Sequence, residues 1–263
     1  MKISKLFYLL LIGLAIHACS DDDTDLPGGN TPEDIDNYFP LVAGNTWNYE
    51  NVVMSPAQDD IVSNETLSVV GSTMGDFDLE TDNPMNAGPV TSALDQGVLR
   101  KSGSQLIFTG ALGFAVEGFP NLEIALNDAA IYDVDASSGT ILYADSGSSE
   151  ETIENVPLTI NYEIETVMGA NINSYSVNGM TYNDVITSQI IIRLEIRAAG
   201  IFTVLPEQDV IVIDNYFALD IGMVSSETEV EFDFTEVGQL PLPIEDFMLS
   251  STQSLESYTV ELD

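Results

Sequence analysis

The chain has 263 residues, with 43 Asp and Glu against 6 Lys and Arg, for a formal net charge of −37. Its single His and single Cys, His17 and Cys19, stand near the N-terminus with Lys2 and Lys5, so Arg100, Lys101, Arg193 and Arg197 are the only cations beyond that point. This inventory excludes a Ser-His-Asp or Cys-His nucleophile, a His- or Cys-based zinc site, and the basic footprint that nucleic acid requires.

Met1-Lys2-Ile3-Ser4-Lys5 is a short positive segment, and Leu6–Ile16 is an apolar run of 11 residues. A helix rising ~1.5 Å per residue over that length cannot cross a hydrocarbon core of ~30 Å, but it matches the core of a signal peptide. Ile16-His17-Ala18-Cys19 resembles the bacterial lipobox, in which the Cys thiol is acylated and becomes the mature N-terminus. The resemblance implies that residues 1–18 are a lipoprotein signal peptide and that Cys19 carries the lipid. Cys19 has no second Cys to pair with, in keeping with acylation. With ~0.8 kcal/mol per buried CH₂, more than one acyl chain gives stable attachment. Ser20-Asp21-Asp22-Asp23 directly follows and resembles the surface-export signal of Bacteroidota lipoproteins. It implies the outer membrane, with the protein facing the cell exterior. The same acids also suit a solvated tether, and the two readings are compatible.

Residues 19–36 form an acidic segment. From Ser20 to Asp36 it holds seven acids, two Pro and two Gly, with almost nothing apolar to offset the entropy of ordering. The sequence therefore predicts a disordered tether with a mean reach of roughly 20–25 Å.

Residues 37–263 are predicted to be a single β domain, because the periodicity from Asn37 onward is two. Asn161, Glu163 and Glu165 alternate with Tyr162 and Ile164, and Arg193, Glu195 and Arg197 alternate with Ile192, Leu194 and Ile196. Glu229, Glu231 and Asp233 alternate with Val230, Phe232 and Phe234. Val210–Ile213 is continuously apolar, which predicts a strand covered on both faces. Ser102-Gly103, Ser138-Gly139 and Asn178-Gly179 mark turns, and the last is a type I′ hairpin signal. Residues 121–131 fit one or two helical turns. The fold class is all-β, with antiparallel sheets arranged as a sandwich or a curved half-barrel and few short helices. Dense Gly and Pro over 72–130 leave a small subdomain there as an alternative.

One motif echoes itself. Asp36-Asn37-Tyr38-Phe39-x-Leu41-x-x-Gly44 recurs as Asp214-Asn215-Tyr216-Phe217-x-Leu219-x-x-Gly222, consistent with two strands entering similar corners or with chance. The opening Tyr38-Phe39-Pro40-Leu41-x-x-Gly44-Asn45-x-Trp47-x-Tyr49 resembles the start of a group of Bacteroidota lipoprotein domains without an assigned function. In that group a stretch like Tyr216-Phe217-Ala218 through Gly222-Met223-Val224 comes late in the chain. The resemblance implies a β-rich extracytoplasmic domain and transfers no catalytic residue.

Carboxylates and hydroxyls are the plentiful functional groups left. Calcium is the cofactor that suits them, and Asp133-x-Asp135-x-Ser137-Ser138-Gly139 resembles the first half of a calcium loop. Its Gly comes one place late and no Glu stands at the twelfth position, so a polar hairpin loop competes with the metal reading. Asp76, Asp78, Glu80 and Asp82 alternate with Phe77 and Leu79 as a strand face does.

Three functional readings follow. The first is a non-enzymatic surface lipoprotein for binding, adhesion or assembly, tied to the membrane by its lipid and meeting a surface protein or glycan. The second is a carrier that holds a hydrophobic ligand in a curved sheet, with Ala111–Val116 and Gly118-Phe119 as candidate lining. The third is a carboxylate-dependent glycan hydrolase or a calcium-assisted glycan binder.

Self-repulsion at this net charge destabilises a compact state in dilute buffer, and near 1 M salt the Debye length falls to roughly 3 Å. A saline or divalent-rich habitat is the expectation. Thermal melts should show the midpoint rising from low salt to about 1 M NaCl or with added calcium; a flat response to both would refute it.

Overall fold

Period-two patterning becomes one twelve-stranded antiparallel sheet. The computed structural model describes residues 36–56, 58–114, 122–235 and 245–262. The strands are β1 (Thr46–Ser55), β2 (Gln58–Thr73), β3 (Asp76–Thr81), β4 (Val98–Ser102), β5 (Gln105–Phe114) and β6 (Leu122–Asp133). The second half supplies β7 (Ile141–Ile153), β8 (Val156–Val177), β9 (Met180–Ala198), β10 (Phe202–Ala218), β11 (Gly222–Phe232) and β12 (Phe247–Thr259). One helix, α1 (Pro89–Asp95), lies between β3 and β4 among the described residues, with Pro at its first turn.

The strand order is β6-β5-β4-β3-β2-β1-β12-β11-β10-β9-β8-β7. Each half is an up-and-down meander, and pairing of β1 with β12 joins the halves. The sheet is thus the curved alternative and not a two-layer sandwich. Its margins meet where Thr166 Oγ of β8 donates to the carbonyl of Ala130 on β6 at 2.6 Å. Residues 72–130 continue this same sheet through β3–β6, with α1 laid against it. The buried side chains form one contiguous cluster.

Turn chemistry follows the sequence. Asn178 and Gly179, between β8 and β9, have φ of 49° and 75°, as a type I′ turn requires. Met74-Gly75, Glu154-Asn155 and Ala199-Gly200 repeat that pair of positive φ values at three more hairpins.

Two expectations are corrected. The helical turns expected over 121–131 do not form among its described residues: 122–131 are strand β6, in which Ile124 and Leu126 are buried while Glu123 and Ala125 are exposed. Pairing with β5 satisfies that backbone and overrides a weak helical propensity. Val210–Ile213 is not covered on both faces, because Val212 is only half-buried. A register shift between Asp209 and Ile211 turns Val210 and Ile211 both inward, and this produces the unbroken apolar run.

The two copies of the echoed motif meet. Phe39 lies 6.3 Å from Phe217 and 4.9 Å from Trp47, and Tyr132 bridges Phe217 at 5.1 Å and Tyr38 at 6.3 Å. Backbone N–H of Asp220 donates to the carbonyl of Asn37 at 2.8 Å. Trp47 is fully buried, and its indole N–H donates to the Ile221 carbonyl at 2.6 Å. This seat needs Gly222: its φ is +119°, and a Cβ there would lie 2.7 Å from Trp47 Nε1. Gly222→Ala should therefore lose about 2–4 kcal/mol of stability by denaturant titration. Gly44→Ala meets a positive φ but open space and should lose only about 1 kcal/mol.

Candidate functional site

The core is mostly apolar, and Glu65 on β2 is the most demanding of the polar side chains buried with it. Glu65 is in phase with Leu67 and Val69, so alternation carries it inward, where it is 3% exposed. No cation reaches it among the described residues. Instead Oε1 accepts from Asn51 Nδ2 at 2.7 Å, Gly88 N at 2.8 Å, Thr91 Oγ at 2.7 Å and Gln253 Nε2 at 2.7 Å. Oε2 accepts from Thr81 Oγ at 2.7 Å. The carboxylate thereby ties together β1, β2, β3, β12 and the start of α1. Charge-assisted bonds of this kind are about twice as strong as neutral ones. Gly88 allows the approach, since a Cβ there would sit 2.7 Å from the Gln253 amide.

Beneath α1 lies an internal cavity of about 30 Å³. The helix supplies Val90, Ala93 and Leu94 as its roof. One wall is Leu99, Leu106, Phe108, Leu112, Leu126 and Ile131, and the other is Phe39, Ile190, Phe217 and Met223. Asn215 is the one polar side chain in this lining, and it is 1% exposed.

Tyrosines flank the same interior. Burial, and then the neighbouring Glu65 and Tyr182, push the Tyr49 phenol well above its ordinary range. It stays the neutral donor to the Met223 carbonyl at 2.8 Å. Burial, followed by Tyr38, likewise pushes Tyr132 up. Tyr49 is thus a structural donor.

The residues singled out in the sequence are placed as follows. Cys19 and Ser20-Asp21-Asp22-Asp23 lie outside the described residues. Asp133 Oδ1 accepts from Ser104 Oγ at 2.7 Å and from the backbone of Asp135 at 3.1 Å, and its Oδ2 accepts from Gln105 Nε2 at 2.9 Å. Partial burial acts to raise its carboxyl, but these bonds outweigh it and hold the group below the usual range. Asp133 is thus the anchor of a turn, with Asp135 and Ser137 on the loop it organises. Among the described residues no three His, Cys, Asp or Glu side chains are placed to hold a metal ion. Arg193 pairs with Glu163 and Asp209, each at 3.0 Å, and Arg197 with Glu195 at 2.7 Å. Of the candidate carrier lining, Leu112 does face the cavity, while residues 115–121 lie outside the described residues.

Glu65, Asn51, Gln253, Asn215 and α1 were not legible as a site. The signal was present nonetheless: each of these polar residues falls in phase with apolar neighbours on its strand.

No protein-family model matches the sequence, and no curated protein matches it. Among solved structures, a LolA superfamily protein from Nitrosomonas europaea aligns over 85% of this chain and 88% of that one. The identity is 10% and the TM-score 0.21, a likeness too slight to carry any argument.

Removing the Glu65 carboxylate takes the charged acceptor from five donors at once, and leaves Gly88 N and Thr81 Oγ with no other acceptor shown. Glu65→Ala should therefore lose about 3–5 kcal/mol in chemical denaturation and speed amide exchange over 88–95, whereas Glu65→Gln, which keeps one carbonyl, should lose about 1–2 kcal/mol.

Proposed function

We propose that this protein is a non-enzymatic lipoprotein, anchored in the outer membrane through Cys19 and displayed on the cell exterior, whose curved sheet binds a hydrophobic ligand. The apolar cavity under α1 carries the binding role. Protein interiors are close-packed, so space beneath a separately held helix points to an occupant. At about 30 Å³ the cavity holds about two waters, and a ligand therefore enters only as α1 moves aside.

The helix suits that movement. It has seven residues, no side-chain bond at its N-cap, and a length far below what is stable alone. Its hold on the sheet is a small set of directed bonds, from Gly88 and Thr91 to Glu65, from Gln253 to Thr91 and from the Thr81 backbone N–H to Asp95, with Val90, Ala93 and Leu94 packed beneath. The cavity lining includes no carboxylate, and glycoside hydrolysis needs two, about 5–10 Å apart. Adhesion or assembly would use the same anchor but gives the cavity no task, so the carrier is the favoured reading.

The chain starting at Ser20, which lacks the anchor, should carry about one equivalent of lipid-like ligand in native mass spectrometry. Ala93→Trp or Leu94→Trp, filling the cavity, should remove it. A folded protein that is empty and also refuses alkyl-chain probes would overturn the carrier. For the anchor, the intact mass of the mature protein should show diacylated Cys19; an unmodified N-terminus would refute attachment.

A further inference from the structure

A line of polar side chains crosses the interior of the sheet at the edge of the cavity. On adjacent strands the register sets Ser188 of β9 against Asn215 of β10, Asn215 against Ser226 of β11, Ser226 against Gln253 of β12, and Gln253 against Asn51 of β1. Direct cross-strand partners point to one face of a sheet. Each of the five is 2% exposed or less. At ~4.8 Å per strand the line runs about 19 Å.

Only its Glu65 end is partly satisfied, through Asn51 Nδ2 and Gln253 Nε2. Six of its atoms have no hydrogen-bond partner among the described residues: Ser188 Oγ, both amide atoms of Asn215, Ser226 Oγ, Gln253 Oε1 and Asn51 Oδ1. Buried polar atoms are nearly always paired, and an exception calls for an explanation. Six exceptions in one register form a single feature. Asn215 belongs both to the line and to the cavity lining, so the line meets the cavity at that residue and the space there is amphipathic.

We infer that this space recognises an uncharged amphiphile, its alkyl chain under α1 and a hydroxyl- or amide-bearing end along the polar line. The inference rests on the carrier reading above and names the class of ligand. Donation to Glu65 fixes the nitrogen end of each amide, which leaves Asn51 Oδ1 and Gln253 Oε1 as acceptors, so the ligand must bring donors there. The Ser hydroxyls and the Asn215 amide both give and accept. A carboxylate or phosphate brings acceptors and a negative charge towards Glu65, and no Lys or Arg lines the cavity to meet it. Arg100, Arg193 and Arg197 are paired with Asp128, with Glu163 and Asp209, and with Glu195. A bare alkane leaves all six atoms as they are.

The test uses the chain from Ser20, stripped of bound lipid and titrated separately with monododecanoylglycerol, dodecanoate and dodecane. The monoglyceride should bind at least about tenfold more tightly than either of the others. Asn215→Leu, or Ser226→Ala if the first variant does not fold, should lower monoglyceride affinity about tenfold and leave dodecane unchanged. Equal binding of all three, insensitive to both substitutions, overturns this inference while the carrier reading stands, with water filling the line. Tighter binding of dodecanoate overturns it as well. Folded protein that binds none of the probes overturns both.

Discussion

Two six-stranded meanders become one sheet only along the seam where β1 lies against β12. The seam is held by more than its ladder. Trp47 and Tyr49 of β1 donate across to the carbonyls of Ile221 and Met223, and Asn45 exchanges hydrogen bonds with the backbone of Glu261. A register shift between Asn48 and Tyr49 lies beside these anchors. Such shifts bend and twist a strand, which suits the point where a flat pairing must become a curved wall. The first residues of the domain then fold back under the far corner, so that Phe39 packs between Trp47 and Phe217. Motif and echo are therefore the two sides of one corner, each supplying a Phe and a positive-φ Gly.

The seam also explains where the buried polar band falls. Asn51 and Gln253 face each other across it, and Glu65 stands one strand away. An apolar set at these places would pack without hydrogen-bonding demands, and replacing buried ionic networks by apolar residues is often neutral or stabilising. What the carboxylate adds is position. It draws donors from four separate segments to one point on β2, and so fixes a helix too short to stand alone. The bonds at Gly88, Thr91 and Asp95 run through side chains or lie outside the strand ladders, so the helix is fastened to the sheet without being part of it.

How much of this was legible in the sequence can be argued from particular residues. Alternation in Glu229–Phe232 and in Arg193–Arg197 places their faces correctly, because a one-residue slip would reverse every side chain. Asn178-Gly179 gives a hairpin because few residues accept the φ values the turn demands. Val210–Ile213 misleads because a bulge counts two residues where period two counts one. Residues 121–131 mislead because Ala and Leu favour a helix locally while β5 offers a ladder from far along the chain. The helix that does form, at Pro89–Asp95, is too short for periodicity to register, although Gly88-Pro89 marks its start. Asn51, Glu65, Ser188, Asn215, Ser226 and Gln253 read singly as polar residues of no consequence. Only registry across strands, which no one-dimensional pattern contains, shows that they converge.

Charge is divided between the two faces of the wall in a way that limits what the interior can hold. Of the described acids, Glu65 alone is buried, and it consumes five donors. A second buried carboxylate would need a comparable set, because an unpaired charge in a low-dielectric interior is the costliest group a fold can bury. The remaining interior polarity is accordingly neutral. Arg193 binds Glu163 and Asp209 across β8, β9 and β10, and Arg100 reaches Asp128 from β4 to β6, so these cations relieve repulsion on strands beside the open margin. Arg100 and Arg193 are thus engaged on the outer face and not within the wall. The two faces of the sheet thus differ in kind, with acids and their cations outside and, apart from Glu65, neutral polar groups within.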